Sequence, residues 1–412
     1  MEPVRTEGNA FWCGNERFLI KGISYTPCHP DLSSSSFDSL IDPLAEDRLT
    51  ALDRDIAVLS GPGGLGLNTI HVTGLDFRNN HGKALNMLAE AGIYVLVTIC
   101  ERLKAPKAHR NSTDPNFDTA PYYKVSAMRR AFRTVHELAD YPNVLGFVIG
   151  GVHISWPQNS KIAEVRRAAV RDVKTFLRLR GGRMPPVGTN TRDDAQMRIP
   201  MLEYFTAGSS QERVDFFGLG CFSWAGRSNF QISGWQHMVQ ALEQYPVPMC
   251  LSEYGAYIGD YRRWDEVDCL YSPDMTGVFS GGCVYTYFES KNPYGIVKVD
   301  EDGNLEKKWK ETEGLQQHFG VVNQRSPAEL YSADTKDYEN WTGQFPAAGQ
   351  NPWYATSNLP SLPGTIEDFL REIRSDAAYE VSEARSQPPA TAESVQRTQA
   401  VTEGVANLNL KS

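Results

Sequence analysis

The residue in this sequence best placed to do chemistry is Glu253, within Leu251-Ser252-Glu253-Tyr254-Gly255. A carboxylate ending an apolar run, followed by an aromatic ring and a turn-making glycine, fits the nucleophile of a retaining glycosidase. Such an enzyme attacks an anomeric carbon with one carboxylate and needs a second about 5–5.5 Å away as acid/base. A salt-bridged glutamate at a strand end would give the same motif, so its place in the fold decides. Aromatic residues gather at comparable points: Tyr25, Phe222, Trp224, Tyr285, Tyr287 and Tyr294, with Tyr254 beside the glutamate. Sugar rings have apolar faces that stack on such side chains, although each ring taken alone is equally well explained by a capped core.

The elements that must position these residues are short apolar runs alternating with helical patterns. Candidate strands cover 18–25, 67–72, 93–99, 144–150, 185–190, 215–222, 247–253 and 283–288. Most are continuously apolar, as expected of parallel strands buried on both faces. Between them Met128, Phe132, Val135 and Leu138 repeat with helical spacing, as do Ile162, Val165, Ala169, Val173 and Phe176. Eight such units predict an α/β fold, a (β/α)8 TIM barrel with chemistry at the C-terminal ends of the strands. After Val297 the pattern decays. The expected organisation is a barrel over 1–310, an extension packing on or near it over 311–374, and a disordered tail over 375–412, where large apolar residues are few.

Composition narrows the partners. The chain has 412 residues, a formal charge of −9 and 41% hydrophobic residues, which excludes wholesale disorder and leaves no basic stripe for nucleic acid. No run reaches the roughly 20 apolar residues of a membrane span, and neither end carries an export leader or an anchor signal. Seven cysteines without CxxC spacing suggest neither a metal site nor a redox dithiol. No cofactor is called for.

The chain resembles the fungal β-1,3-glucanosyltransferases of glycoside hydrolase family 72. The resemblance is carried in order by FLIKGISYTP, IDPLAEDRLTALDRDI, LNTIHV, LAEAGIYVLV, YPNVLGFVIGG, DFFGLGCFSW, FQISGW, VPMCLSEYG, FSGGCVYTYF and NPYGIVKV. It spans roughly residues 9–310. It implies a secreted, membrane-anchored TIM-barrel enzyme that cleaves a β-1,3-glucan internally, holds it as a glycosyl-enzyme and passes it to another glucan.

The departures concern the implied site. The family's fourth strand ends in Gly-Asn-Glu, whose Glu is the acid/base; here the same positions are Gly150, Gly151 and Val152. Val152 can neither donate nor accept a proton, and losing such a group costs about 10²–10⁴-fold. His153 is adjacent and is the candidate substitute acid if a one-residue bulge turns it into the pocket; side chains alternate along a strand, so without a bulge it points away. The family's Arg and Tyr after strand two become His71 and Thr73, and its strand-three Asp becomes Thr98. Its strand-six Asn and Tyr become Gly220 and Phe222, its strand-eight Glu becomes Thr286, and the Gln after strand one becomes Thr26. Family cysteines map onto Leu52, Ala84, Ala225 and Ala256. Disulfides persist in oxidising compartments, so their replacement, with the missing leader, predicts a cytoplasmic protein.

Three readings follow. The chain is a family-72-like protein still acting on β-glucan, a non-catalytic binding barrel, or a repurposed enzyme of secondary metabolism whose pocket, now smaller and more apolar, takes a hydrophobic small molecule.

Overall fold

In the computed structural model eight parallel strands close into a barrel; the structure describes residues 1–27, 40–101, 103, 114, 117–151, 154, 157–259, 261–300, 303–332, 336–338, 340–349 and 351–386. Three short strands precede the barrel: β1 (Val4–Glu7), β2 (Ala10–Cys13) and β3 (Glu16–Phe18), an antiparallel sheet. The barrel strands are β4 (Ile20–Ser24), β5 (Thr69–Val72), β6 (Tyr94–Ile99), β7 (Val144–Ile149), β8 (Val187–Arg192), β9 (Phe216–Gly220), β10 (Met249–Tyr254) and β11 (Phe279–Val284). Each pairs with its successor, and β11 returns to β4 with Gly281 opposite Ile20. A hairpin of β12 (Val297–Val299) and β13 (Leu305–Lys307) follows. Among the described residues eight α-helices lie between the strands: α1 (Leu49–Leu59), α2 (Gly82–Glu90), α3 (Val125–Leu138), α4 (Ala163–Arg180), α5 (Arg198–Thr206), α6 (Trp235–Leu242), α7 (Asp265–Leu270) and α8 (Pro273–Thr276). Then come α9 (Trp309–Val322), α10 (Pro327–Leu330) and α11 (Ile366–Ser386).

The packing explains the patterns. Every residue of β6 and β7 is buried, which is why their sequences run apolar without alternation. On α3 the stripe Met128, Phe132, Val135 and Leu138 is wholly buried, and Phe132 stacks on Phe176 of α4 with ring centroids 4.7 Å apart.

Two features differ from expectation. The last strand lies four residues earlier than Cys283–Phe288, because it contains the pair Gly281-Gly282, which reads as a break. A Cβ at Gly281 would sit 2.3 Å from the Ile20 carbonyl oxygen, and one at Gly282 would sit 2.4 Å from that of Leu251. The glycines are where neighbouring strands come too close for side chains. The N-terminal sheet was not expected at all. Phe11 of β2 packs with Ile20, Leu145, Phe216 and Cys250 at the N-terminal mouth of the barrel, its ring 5.4 Å from that of Phe216. Removing this wholly buried ring leaves a cavity, so Phe11→Ala lowers unfolding free energy by about 3–5 kcal/mol. Chemical denaturation checks this, and a loss below about 1 kcal/mol would mean that the sheet is not part of the core.

Contacts divide the chain into two units, Met1–Ile366 and Glu367–Ser412. Within the first, residues beyond the barrel are fastened to it: Tyr204 Oη donates to the Thr356 carbonyl at 2.8 Å, and Tyr338 Oη to that of Val214 at 2.8 Å. In the second, helix α11 runs past Ser375, where the sequence suggested no structure; residues 387–412 lie outside the described ones.

Candidate active site

Glu253 is the penultimate residue of β10, the seventh barrel strand, so the closed barrel places it at the C-terminal rim. It pairs with Gly220 of β9, and its carbonyl accepts from Cys221 N at 2.8 Å. Its side chain opens into a cavity of about 720 Å³ shared with Gly151, Phe222 and Tyr294. At Gly220 a Cβ would still be 3.7 Å from Glu253 Oε2, so the glycine leaves room beside the carboxylate. Protein surrounds Glu253 except toward the cavity, and this loss of solvent raises its pKa to about 7.

The raised pKa has a consequence for stability. Folded Glu253 titrates near 7 and the unfolded side chain near 4.5, so its contribution is fully present below pH 4.5 and is lost as pH rises through 7. Glu253→Gln removes that loss. Because the carboxylate faces an open cavity, the gain at pH 8 is roughly 1–3 kcal/mol. Melting curves should show the variant more stable than the parent at pH 8 and equal to it at pH 4; no gain at pH 8 would place the carboxylate in solvent.

The other expected site residues divide into two groups. Phe222, Tyr285 and Tyr294 form an edge-to-face cluster with centroids 5.4–5.9 Å apart, two of its rings lining the cavity. Gly151 also lines it, at φ +93°. By contrast, Tyr25 is buried and donates to Asp55 at 2.7 Å, with Tyr287 packed 5.3 Å away. Tyr254 is fully buried, and Trp224 packs on Trp235 at 5.0 Å. These four rings are therefore core, not sugar platforms. His71 and Thr98 are also buried and satisfy each other at 2.7 Å; burial holds the imidazole neutral by lowering its pKa to about 4. Val152 and His153 lie outside the described residues.

The cavity is also more polar than the substitutions suggested. The end of β8 contributes Asn190, Thr191 and Arg192, with Asp193 just beyond, and β10 contributes Ser252. Sequence reasoning ends the fifth strand at Asn190, two residues early, and so leaves Thr191 and Arg192 off the barrel rim. Asp193 accepts two hydrogen bonds from Arg198, at 2.6 and 2.8 Å. Both of its carboxylate oxygens are thereby occupied by the guanidinium. Arg262, buried behind the rim, was also missed. It donates to the carbonyls of Tyr285 at 2.5 Å and Tyr294 at 2.7 Å, and pairs with Glu311. It holds the two tyrosine-bearing segments together.

A closed parallel barrel with a carboxylate ending its seventh strand, opening into a polar cavity edged by tyrosines, defines a glycosidase-type (β/α)8 protein. The family model described as glucanosyltransferase, of glycoside hydrolase family 72, matches residues 1–323, and the chain belongs to this family. It is 33% identical to the 1,3-β-glucanosyltransferase gel1 of Aspergillus fumigatus, over 90% of this chain and 76% of that protein. It is 32% identical to the 1,3-β-glucanosyltransferase GAS5 of Saccharomyces cerevisiae, over 89% of this chain and 71% of that one. Among solved structures, Saccharomyces cerevisiae Gas2p in complex with laminaritriose and laminaritetraose superposes with a TM-score of 0.72 at 28% identity, over 89% of this chain and 78% of that chain.

Membership of this glucanosyltransferase family overturns the cytoplasmic placement read from the sequence, since the resemblance ties the family to secretion. The physical inference was at fault. Absent disulfides leave free thiols, such as the buried Cys100, Cys221, Cys250 and Cys283, which behave as small hydrophobes in any compartment. Among the described residues no helix is long and apolar enough to cross a membrane.

Proposed function

We propose that this chain is a β-1,3-glucan-directed barrel in which Glu253 keeps the nucleophile's place while ordinary glucan transfer is impaired. One observation carries the reading: Glu253 opens into the polar cavity at the end of the seventh strand, while the sequence after the fourth strand reads Gly151 and Val152 where the resemblance places the family's Asn and Glu. Asp193, the other carboxylate among the described residues lining the cavity, is engaged by Arg198. A weakly basic leaving group such as fluoride departs without a proton; a strongly basic sugar alkoxide does not, so cleavage of a glucan bond slows most.

The polar lining supports an oligosaccharide over a hydrophobic small molecule, because Asn190, Thr191, Arg192 and Ser252 offer hydrogen-bond partners to hydroxyls that an apolar ligand would leave unpaired. Calorimetric titration with laminaritetraose tests the reading. Binding is expected for the parent and for Glu253→Gln, since recognition rests on the lining and the tyrosine cluster. Absence of binding to both proteins would refute it.

A further inference from the structure

The aromatic lining of the cavity does not stop at its mouth. Tyr294 lies 6.0 Å from Tyr257, centroid to centroid, and Tyr257 stands on the loop that follows β10. The same loop carries Tyr261, 43% exposed, and Ile258, 59% exposed. Facing it is the start of α9, where Trp309 is 69% exposed. On either side of Trp309 in sequence, Lys308 and Lys310 set their ammonium groups 5.8 Å from the Tyr257 ring and 5.3 Å from the Tyr261 ring. Single exposed hydrophobic residues are ordinary on a protein surface; a cluster at one loop and helix junction, continuous with a ligand cavity, marks a binding surface.

We propose that Tyr257, Tyr261 and Trp309 form an outer platform for β-1,3-glucan, taking the sugar residues that extend beyond the Glu253 cavity. The proposal rests on the glucan reading of that cavity. Two features fit this occupant. Pyranose rings present apolar faces to aromatic side chains, and their hydroxyls take hydrogen bonds from an ammonium group such as that of Lys310. The platform is also held rigid before any ligand arrives. Arg262 ties the loop to the carbonyls of Tyr285 and Tyr294, the Lys308 ammonium donates to the Pro293 carbonyl at 2.7 Å, and Trp264 Nε1 donates to the Glu311 carbonyl at 2.9 Å. A surface fixed in this way loses little freedom on binding, which favours affinity.

The test compares laminaritriose with a laminari-oligosaccharide of eight or more residues by calorimetry, using the parent, Tyr261→Ala and Trp309→Ala. Both substitutions lie on the surface, and unchanged melting temperatures verify the fold. The parent should bind the long ligand more tightly than the short one. Each substitution should weaken the long ligand by about tenfold, equivalent to the loss of one ring contact, and leave the short one unchanged. Trp309→Phe, which keeps a ring, should retain most of the difference. Unchanged affinity for the long ligand in both alanine variants overturns the platform while leaving the glucan reading intact. Equal weakening of both ligands also overturns it, because the rings would then act through the cavity. If the parent binds neither ligand, the glucan reading fails and the platform falls with it.

Discussion

Placing a carboxylate at position 152 increases transfer from a laminari-oligosaccharide by about 10²–10⁴-fold, the range over which a positioned acid/base acts. The expectation rests on register. Gly150 N donates to the Ile99 carbonyl at 2.8 Å, which keeps the fourth strand in the barrel up to that residue, and Gly151 lines the cavity with Glu253. On the proposed reading Val152→Glu supplies a carboxylate where the resemblance places the family's acid/base. Restoring the neighbouring Asn as well should not help. Gly151 sits at φ +93°, and a Cβ there would lie 2.6 Å from the Cys100 carbonyl oxygen, so Gly151→Asn strains the backbone and costs stability. The product chain lengths, read by mass spectrometry, check the prediction. A Val152→Glu protein that folds, accepts an activated donor and still gives no elongated product would show that the missing acid is not what limits transfer.

Glu253→Gln removes turnover of a β-glucosyl fluoride by on the order of 10³-fold or more, since a carboxamide cannot form the glycosyl ester. On the proposed reading the Glu253 carboxylate of the parent attacks C1, the C–F bond breaks and fluoride leaves. An acceptor hydroxyl then displaces the carboxylate and gives its proton to solvent. Attack needs the ionised form, so the rate rises with pH as Glu253 loses its proton, near pH 7. Without a partner acid the profile is a single rise instead of a bell. Fluoride release recorded between pH 5 and 9 checks both points. Equal rates in the parent and the Gln variant, or a falling limb on the alkaline side, would assign the chemistry to another group.

The barrel was legible in the sequence because burial on both faces writes a parallel strand as a nearly continuous apolar run, which β7 shows throughout and β6 shows apart from Thr98. Glu253 was legible for a related reason: a charged residue closing such a run has to lie at a strand end. What was not legible depends on the direction a side chain takes. Tyr25 and Tyr287 stand at the same rim as Tyr285, yet they turn to Asp55 and the core, and no spacing rule separates the two cases. The polar end of β8 was lost to a strand boundary placed two residues early. Gly281 and Gly282 hid a strand because close approach of neighbouring backbones and a chain break call for the same residue. Arg262 was missed because its function depends on three partners distant in sequence, the carbonyls of Tyr285 and Tyr294 and the carboxylate of Glu311.

The central claim is a nucleophile retained without its acid, and it is tested most directly by offering the purified parent protein two donors in parallel. One is a defined laminari-oligosaccharide and the other is the β-glucosyl fluoride, each supplied with the same acceptor and analysed for chain length by mass spectrometry. Elongated products from the fluoride, with the oligosaccharide left unredistributed, are the predicted result. Elongation from the oligosaccharide at a rate comparable to that from the fluoride would contradict it, because an acid would then be present in the site.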